Sequence, residues 1–346
     1  MRRTAKQAAG LLSALALASC ATASPVGKAG ASAPTLAIDS NFPDPAAIKA
    51  ADGAYYVYAT QGEHDGKMQN IQIARSRDLM GWVRVGDALP LKPIWAKNTQ
   101  DFWAPHVSAH DGRYYLYYSA KPDVALVDKV SGFCLAVATA DRPEGPFTDM
   151  GKPLLCGDSF INIDPMAYDD PATGKRLLYW GSGFGPIKVQ ELAMDRMSFA
   201  SGSAPIDLVQ VDKTEDPKNY QRLVEGAWVV RNGGYYYMFY SGDNCCGPKA
   251  HYAVLVARSR SATGPFELRR NAKGEVDNVV IEASGSWVAP GHNAVIEDKS
   301  GKYWFLYHAV DSRKSRTTPT DDVNTRRIML VERLKWKDGW PTVFSE

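Results

Sequence analysis

Apolar and polar positions alternate along this chain in short runs, and the runs come in pairs joined by turn residues. The stretch "DPAAIKADGAYYVYAT" from Asp44 sets the pattern: a short apolar run, a turn, then an aromatic run. It returns as "APHVSAHDGRYYLYYSA" from Ala104, "DPMAYDDPATGKRLLYWGS" from Asp164, "GAWVVRNGGYYYMFYSG" from Gly226 and "GHNAVIEDKSGKYWFLYHAV" from Gly291. The turns "ADG", "HDG", "RNGG" and "DKSG" lie between alternating runs and predict β-hairpins. A third run follows each pair ("NIQIARS", "FCLAVATA", "IKVQELA", "YAVLVARS", "RRIMLVERL"), then a weaker fourth around "WVRVGD", "PFTDMG", "PFELRR" or "GWPTVF". No long stretch has helical periodicity. Four strands per repeat, repeated five times, predict an all-β protein: a five-bladed β-propeller in a single domain over residues 35–346.

Composition agrees. The 346 residues are 45% hydrophobic and 11% aromatic, with 29 glycines and 21 prolines to supply a core and its turns. The formal net charge of +2, from 40 basic and 38 acidic residues, gives no electrostatic reason to expect nucleic acid or an anionic membrane surface as partner. The N-terminus reads as an address rather than as fold. "MRRTAKQ" is a positive region, "AAGLLSALALA" an apolar one too short to span a bilayer, and "LASC" resembles a bacterial lipoprotein cleavage box. Residues 1–20 are thus an expected export signal, and residues 21–34 a small-residue linker. A lipid on Cys20 would be the sole membrane attachment. The alternative is ordinary secretion with cleavage after "ATA" or "ASA". Both readings export the protein, to the periplasm or as an outer-membrane-anchored lipoprotein in the first, as a secreted one in the second. Export permits disulfides. Cys134 and Cys156 are close enough in sequence to pair across one sheet. Cys245 and Cys246 are adjacent, so a mutual bond needs unusual geometry and free buried thiols are the alternative. Neither pair has zinc-ribbon spacing.

In a propeller the first strand of each blade lines a central channel. Asp44, Asp164 and Glu225 are expected at equivalent positions of blades one, three and four, and His292 of blade five. Taken singly, an aspartate before proline is a turn residue. Three carboxylates aimed at one axis repel one another and raise at least one pKa, which suits general acid–base chemistry. Glycoside hydrolysis uses such a set: one carboxylic acid protonates the leaving oxygen while a carboxylate activates water.

The motifs "NFPDP" (Asp44), "FWAPHV" (Trp103, His106), "NIDPMAYDD" (Asp164), "VEGAWV" (Glu225), "APGHNAVI" (His292) and the terminal "RRIMLVERLKWKDGWP" together resemble glycoside hydrolase family 43. The resemblance covers essentially the whole mature chain and departs from the usual pattern at Ala227, where proline is common. It implies an inverting enzyme in which Asp44 is the general base, Glu225 the general acid, and Asp164 the group that tunes and orients the acid. Glu225 would then need burial and a nearby negative charge, with the Trp228 wall aiding desolvation. Asp44 would be ionised, with room for a water between the two carboxyls, roughly 6.5–9.5 Å apart. It further implies that His292 holds one calcium ion, largely through water, and that there is no organic cofactor. Trp103 and Phe184 are candidates for stacking on sugar faces, and Trp228 is assigned to substrate binding with them. Of the adjacent Arg326 and Arg327, one reaches the pocket from blade five, and Arg326 is the residue assigned. His106 and His308 are expected to make structural hydrogen bonds.

The expected partner is an oligo- or polysaccharide, bound by a monomer. "LYWGSGFGPIKVQEL" and "SGDNCCGPKAHYAV" resemble segments of arabinan-active members, which points to α-L-arabinofuranosyl linkages. The alternatives are a β-xylosidase or galactosidase of the same family, a sugar-binding propeller without catalysis, and a retaining fructan-cleaving enzyme. The loops "QGEHDGKMQN" and "RKSRTTPTDDVNT" would decide between endo and exo cleavage.

Overall fold

Each predicted hairpin forms, and each grows into one blade. The computed structural model describes residues 33–123, 132–314 and 326–343. The export signal, Cys20, almost all of the linker and most of the blade-five loop from Arg313 lie outside the described residues. Among the described residues the regular structure is all β, apart from one turn of 3-10 helix at Tyr220–Arg222.

Blade one is the antiparallel set Ala46–Lys49, Tyr55–Ala59, Gln72–Ser76 and Trp82–Asp87. Blade two runs Phe102–His110, Arg113–Ala120, Cys134–Ala140 and Thr148–Asp149, and blade three Met166–Asp169, Arg176–Trp180, Ile187–Glu191 and Ile206–Val209. Blade four is Val224–Asn232, Tyr235–Asn244, His251–Ser259 and Glu267–Leu268. Blade five departs from expectation. Its inner strands are Trp287–Glu297, Tyr303–Asp311 and Arg327–Arg333, but its outer strand is Thr35–Ile38 from the other end of the chain. The "GWPTVF" stretch instead forms a small separate hairpin, Lys335–Lys337 with Trp340–Thr342. The ring therefore closes by pairing the first strand with the last blade, Thr35 opposite Val331.

The aromatic second strands supply the packing between blades. Tyr58, Tyr117 and Tyr179 are fully buried, and a buried phenol needs a partner for its hydroxyl. Each donates to a backbone carbonyl of the next blade: to Pro143 at 2.6 Å, Arg196 at 2.8 Å and Ala262 at 2.6 Å.

A second set of inter-blade bonds surrounds the channel. Where each first strand begins, one residue has left-handed backbone: Asp44 (φ 58°), Ala104 (46°), Asp164 (60°), Gly226 (62°) and His292 (47°). Side chains there cost about 1–3 kcal/mol each and persist only where the surroundings enforce the turn. Here the turn aims each backbone N–H at the preceding blade. The N–H of Ala104 donates to Thr60 Oγ1 (2.8 Å), that of Asp164 to Ser119 Oγ (3.0 Å), that of His292 to Ser241 Oγ (2.7 Å) and that of Asp44 to His308 Nδ1 (3.1 Å). These four acceptors lie at equivalent positions towards the C-terminal ends of the second strands of blades one, two, four and five. Blade three has Gly181 at that place and no side chain to offer. The Gly226 N–H goes instead to Asp164 Oδ2, at 3.0 Å.

Two disulfides are present. Cys134 and Cys156 lie directly opposite on paired strands and are bonded, as the sequence suggested. Cys245 and Cys246 are also bonded, to each other, on a half-buried hairpin tip of blade four. The free-thiol alternative is thereby corrected.

Candidate active site

The residues that follow the five left-handed positions are Pro45, Pro105, Pro165, Ala227 and Asn293, and together they wall a void of about 10 Å³ on the channel axis. Proline has no N–H to leave unpaired there. Asn293 is the polar exception, with both amide atoms buried and unpartnered. Above this floor converge the side chains predicted to meet. Asp44, Asp164 and Glu225 come from blades one, three and four and are only 7%, 6% and 9% exposed.

Their equivalence is not quite the expected one. Asp44 and Asp164 occupy the left-handed position itself, whereas Glu225 stands one residue before it and Gly226 makes the turn. Glycine is favoured here, because a Cβ at 226 would lie 3.2 Å from His292 Nδ1 on a backbone already at φ 62°. The register shift between Glu225 and Trp228 absorbs the offset.

Asp44 is held as an anion. Its Oδ1 accepts from Arg327 at 3.1 Å and its Oδ2 from the Thr60 hydroxyl at 2.5 Å. His308 Nδ1 and His292 Nδ1 stand 3.2 and 3.5 Å from Oδ1. Burial alone would raise its pKa, but the Arg327 guanidinium outweighs it and holds the carboxyl well below the usual range. His308, itself fully buried, is pushed down to about 4 by desolvation and stays neutral.

The other two carboxyls move the opposite way. Desolvation, then the negative charges of Glu225 and Asp44, push Asp164 well above the carboxylate range. Desolvation also raises Glu225, against the hydrogen bonds from Ser182 and Tyr252. Buried so closely, the two acids titrate as a pair that retains a proton where an ordinary carboxyl has lost it. Ser182 donates to Glu225 Oε2 at 2.5 Å and Tyr252 to Oε1 at 2.7 Å. The site thus sets a carboxyl whose pKa is lowered beside two whose pKa values are raised.

The other predicted residues divide. Arg326 does not reach the site: it bonds Asp39 at the surface, and its neighbour Arg327 contacts Asp44. Successive residues of a strand face opposite ways, so only one of the two could. Trp228 is buried, packed 5.1 Å from the His106 ring with its indole N–H on the Val295 carbonyl. It seals the channel beneath the site and presents no open face to a sugar, which corrects its assignment to substrate binding. Trp103 is half-buried and stacked on Phe133, 4.1 Å between centroids. Phe184 is 62% exposed, edge-on to Phe160, two residues beyond Ser182. His292 faces Asp44 and, at 3.7 Å, Asp164. Among the described residues no three His, Cys, Asp or Glu side chains gather as ligands of one ion. A metal here would take its oxygens mainly from water, and the polar groups fitting such a hydrated guest are His292 and the unpartnered Asn293 amide. Sequence reasoning missed Thr60, Ser182 and Tyr252. The hydroxyls that repeatedly end the aromatic strands ("YAT", "YSA", "YSG") were the available signal for the first.

Comparison with known proteins places this geometry. The model of the family described as "Glycosyl hydrolases family 43" matches residues 34–341. A probable arabinan endo-1,5-alpha-L-arabinosidase A of Aspergillus flavus is 29% identical over 325 residues, covering 88% of this chain and 91% of that protein. An extracellular exo-alpha-(1->5)-L-arabinofuranosidase of Cellvibrio japonicus is 26% identical over 318 residues, covering 87% and 85%. Among solved structures, the alpha-L-arabinanase of Cellvibrio cellulosa superposes with a TM-score of 0.68 at 23% identity, covering 88% of this chain and 95% of that one.

Proposed function

The chain belongs to glycosyl hydrolases family 43 and is a glycosidase, and on that premise we propose that it is an exported, inverting enzyme that cleaves α-L-arabinofuranosyl linkages. The observation that carries the reading is the convergence of buried carboxyls in unlike surroundings: Asp44 on the Arg327 guanidinium and Thr60, Glu225 on the neutral hydroxyls of Ser182 and Tyr252, and Asp164 on the Gly226 N–H. In this reading Asp44 takes a proton from the water that attacks the anomeric carbon. Glu225 gives its proton to the glycosidic oxygen as the carbon–oxygen bond breaks, and the configuration inverts. Asp164 holds the Gly226 N–H beside the acid and keeps the pair's proton affinity high. The rim aromatics Trp103 and Phe184 are the proposed sugar contacts, and Arg327 replaces Arg326 as the blade-five cation. Export, as a lipoprotein or by ordinary secretion, is supported by the N-terminal pattern and by the extracellular relative from Cellvibrio japonicus. A calcium ion held by His292 through water would add positive charge beside Asp44.

The test is the product profile on linear 1,5-linked arabino-oligosaccharides beside xylo-oligosaccharides. Arabinose alone is the outcome of exo cleavage and a ladder that of endo cleavage. Release from the xylose series only would overturn the arabinan assignment, and β-configured product would be required of an inverting mechanism on an α linkage.

A further inference from the structure

We infer that Ser182 is a positioning residue for Glu225, set beside the acid in blade three, the one blade without the inter-blade latch of the other four. The inference rests on the reading of Glu225 as proton donor. At the latch position, blades one, two, four and five carry Thr60, Ser119, Ser241 and His308, each accepting a backbone N–H of the next blade, and Thr60 also donates to Asp44 Oδ2. Blade three carries Gly181 at φ 140°, where an added Cβ would lie 2.5 Å from the Pro186 carbonyl oxygen. No side chain can stand there, so no latch forms. Two consequences follow. The Gly226 N–H falls to Asp164, drawing that carboxyl beside the acid. The next residue, Ser182, then supplies the hydroxyl, 1% exposed and 2.5 Å from Glu225 Oε2. The residues that follow the latch in the other blades, Gln61, Ala120, Gly242 and Ala309, carry no hydroxyl.

A serine suits the task because its hydroxyl donates to Glu225 Oε2 and leaves the acid's own proton for the leaving oxygen. The same bond strengthens on the carboxylate that remains once that proton has gone. Tyr252 holds the other oxygen, so the plane of the carboxyl is fixed at both ends.

The experiment compares Ser182→Ala, Ser182→Thr and Glu225→Ala, each first shown folded by its thermal melt, on linear arabinohexaose (or on xylohexaose, if that is the series the wild type cleaves). Ser182→Ala is expected to lower kcat about tenfold with KM little changed. It should also move the basic limb of the pH profile upward, because the charged form has lost a donor. Ser182→Thr, which keeps the hydroxyl, should restore both. A wild-type profile for Ser182→Ala, or equal impairment of both serine variants with an unmoved basic limb, overturns the inference while leaving Glu225 as the acid. Full activity of Glu225→Ala overturns the underlying reading instead.

Discussion

Tyr252 and His308 lie face to face, their ring centroids 5.7 Å apart and their planes 5° from parallel. The contact joins the two halves of the site, since the Tyr252 hydroxyl is on Glu225 and His308 Nδ1 is on the Asp44 backbone. Replacing Tyr252 by Phe keeps the stack and removes the donor to the acid. The basic limb of the pH–rate profile should rise and kcat fall about tenfold. Tyr252→Ala also frees His308 and should lose more, on the order of a hundredfold. If the Phe and Ala variants have identical profiles, the stack plays no part in positioning.

Removing either principal carboxyl should abolish turnover without unfolding the ring. Asp44→Ala and Glu225→Ala are each expected to lower kcat by about 10³ or more, with unchanged circular dichroism. Steady-state rates on arabino-oligosaccharides check this. Retention of more than a tenth of the activity by either variant would remove that residue from the mechanism.

Arg327 sets the acid limb. Activity in this reading requires Asp44 ionised and Glu225 protonated, so it falls as pH drops through the depressed pKa of Asp44 and as pH rises through the raised pKa of the acid pair. Arg327→Met removes the principal charge holding Asp44 down, and burial then dominates. The acid limb should move to higher pH and the profile narrow from that side alone. An acid limb that does not move would show that Arg327 is not what holds Asp44 ionised.

Chelation followed by metal add-back tests the calcium proposal. Loss of activity or a lower melting temperature, restored by calcium, is the expected result, and His292→Ala should remove the response. Indifference of both measurements to the chelator would overturn the proposal.

The Cys134–Cys156 bond closes a loop with a sequence separation of 22 residues. Its replacement by two serines should destabilise the protein by about 3 kcal/mol, in the chain-entropy account. Equilibrium denaturation measures this, and activity per folded molecule should be unchanged because the bond lies within the sheet of blade two.

The hairpins were legible because turn chemistry and two-residue alternation are local, and the fivefold recurrence made the ring legible from them. What failed was whatever depends on closure or on single-residue offsets. Thr35–Ile38 is a four-residue run with no hairpin partner beside it in sequence, and its pairing with Arg327–Arg333 is decided only when the ring shuts. Glu225 was placed one residue off because Gly226, not the acid, makes the left-handed turn. Alternation says that Arg326 and Arg327 point apart but not which points inward. Serine after glycine in "WGSG" has nothing local to mark it as a partner of an acid 43 residues on.

Thr35 pairs with Val331, nearly three hundred residues later. At synthesis rates of roughly 5–20 residues per second, the opening strand waits about 15–60 s for its partner to exist. Until then blade five cannot be completed and the opening strand has no partner, which invites pairing between copies. The vulnerable species of this protein is therefore the almost finished chain, four blades assembled and the ring still open. Changes that slow the last blade should be seen in yield before they are seen in the stability of the closed ring.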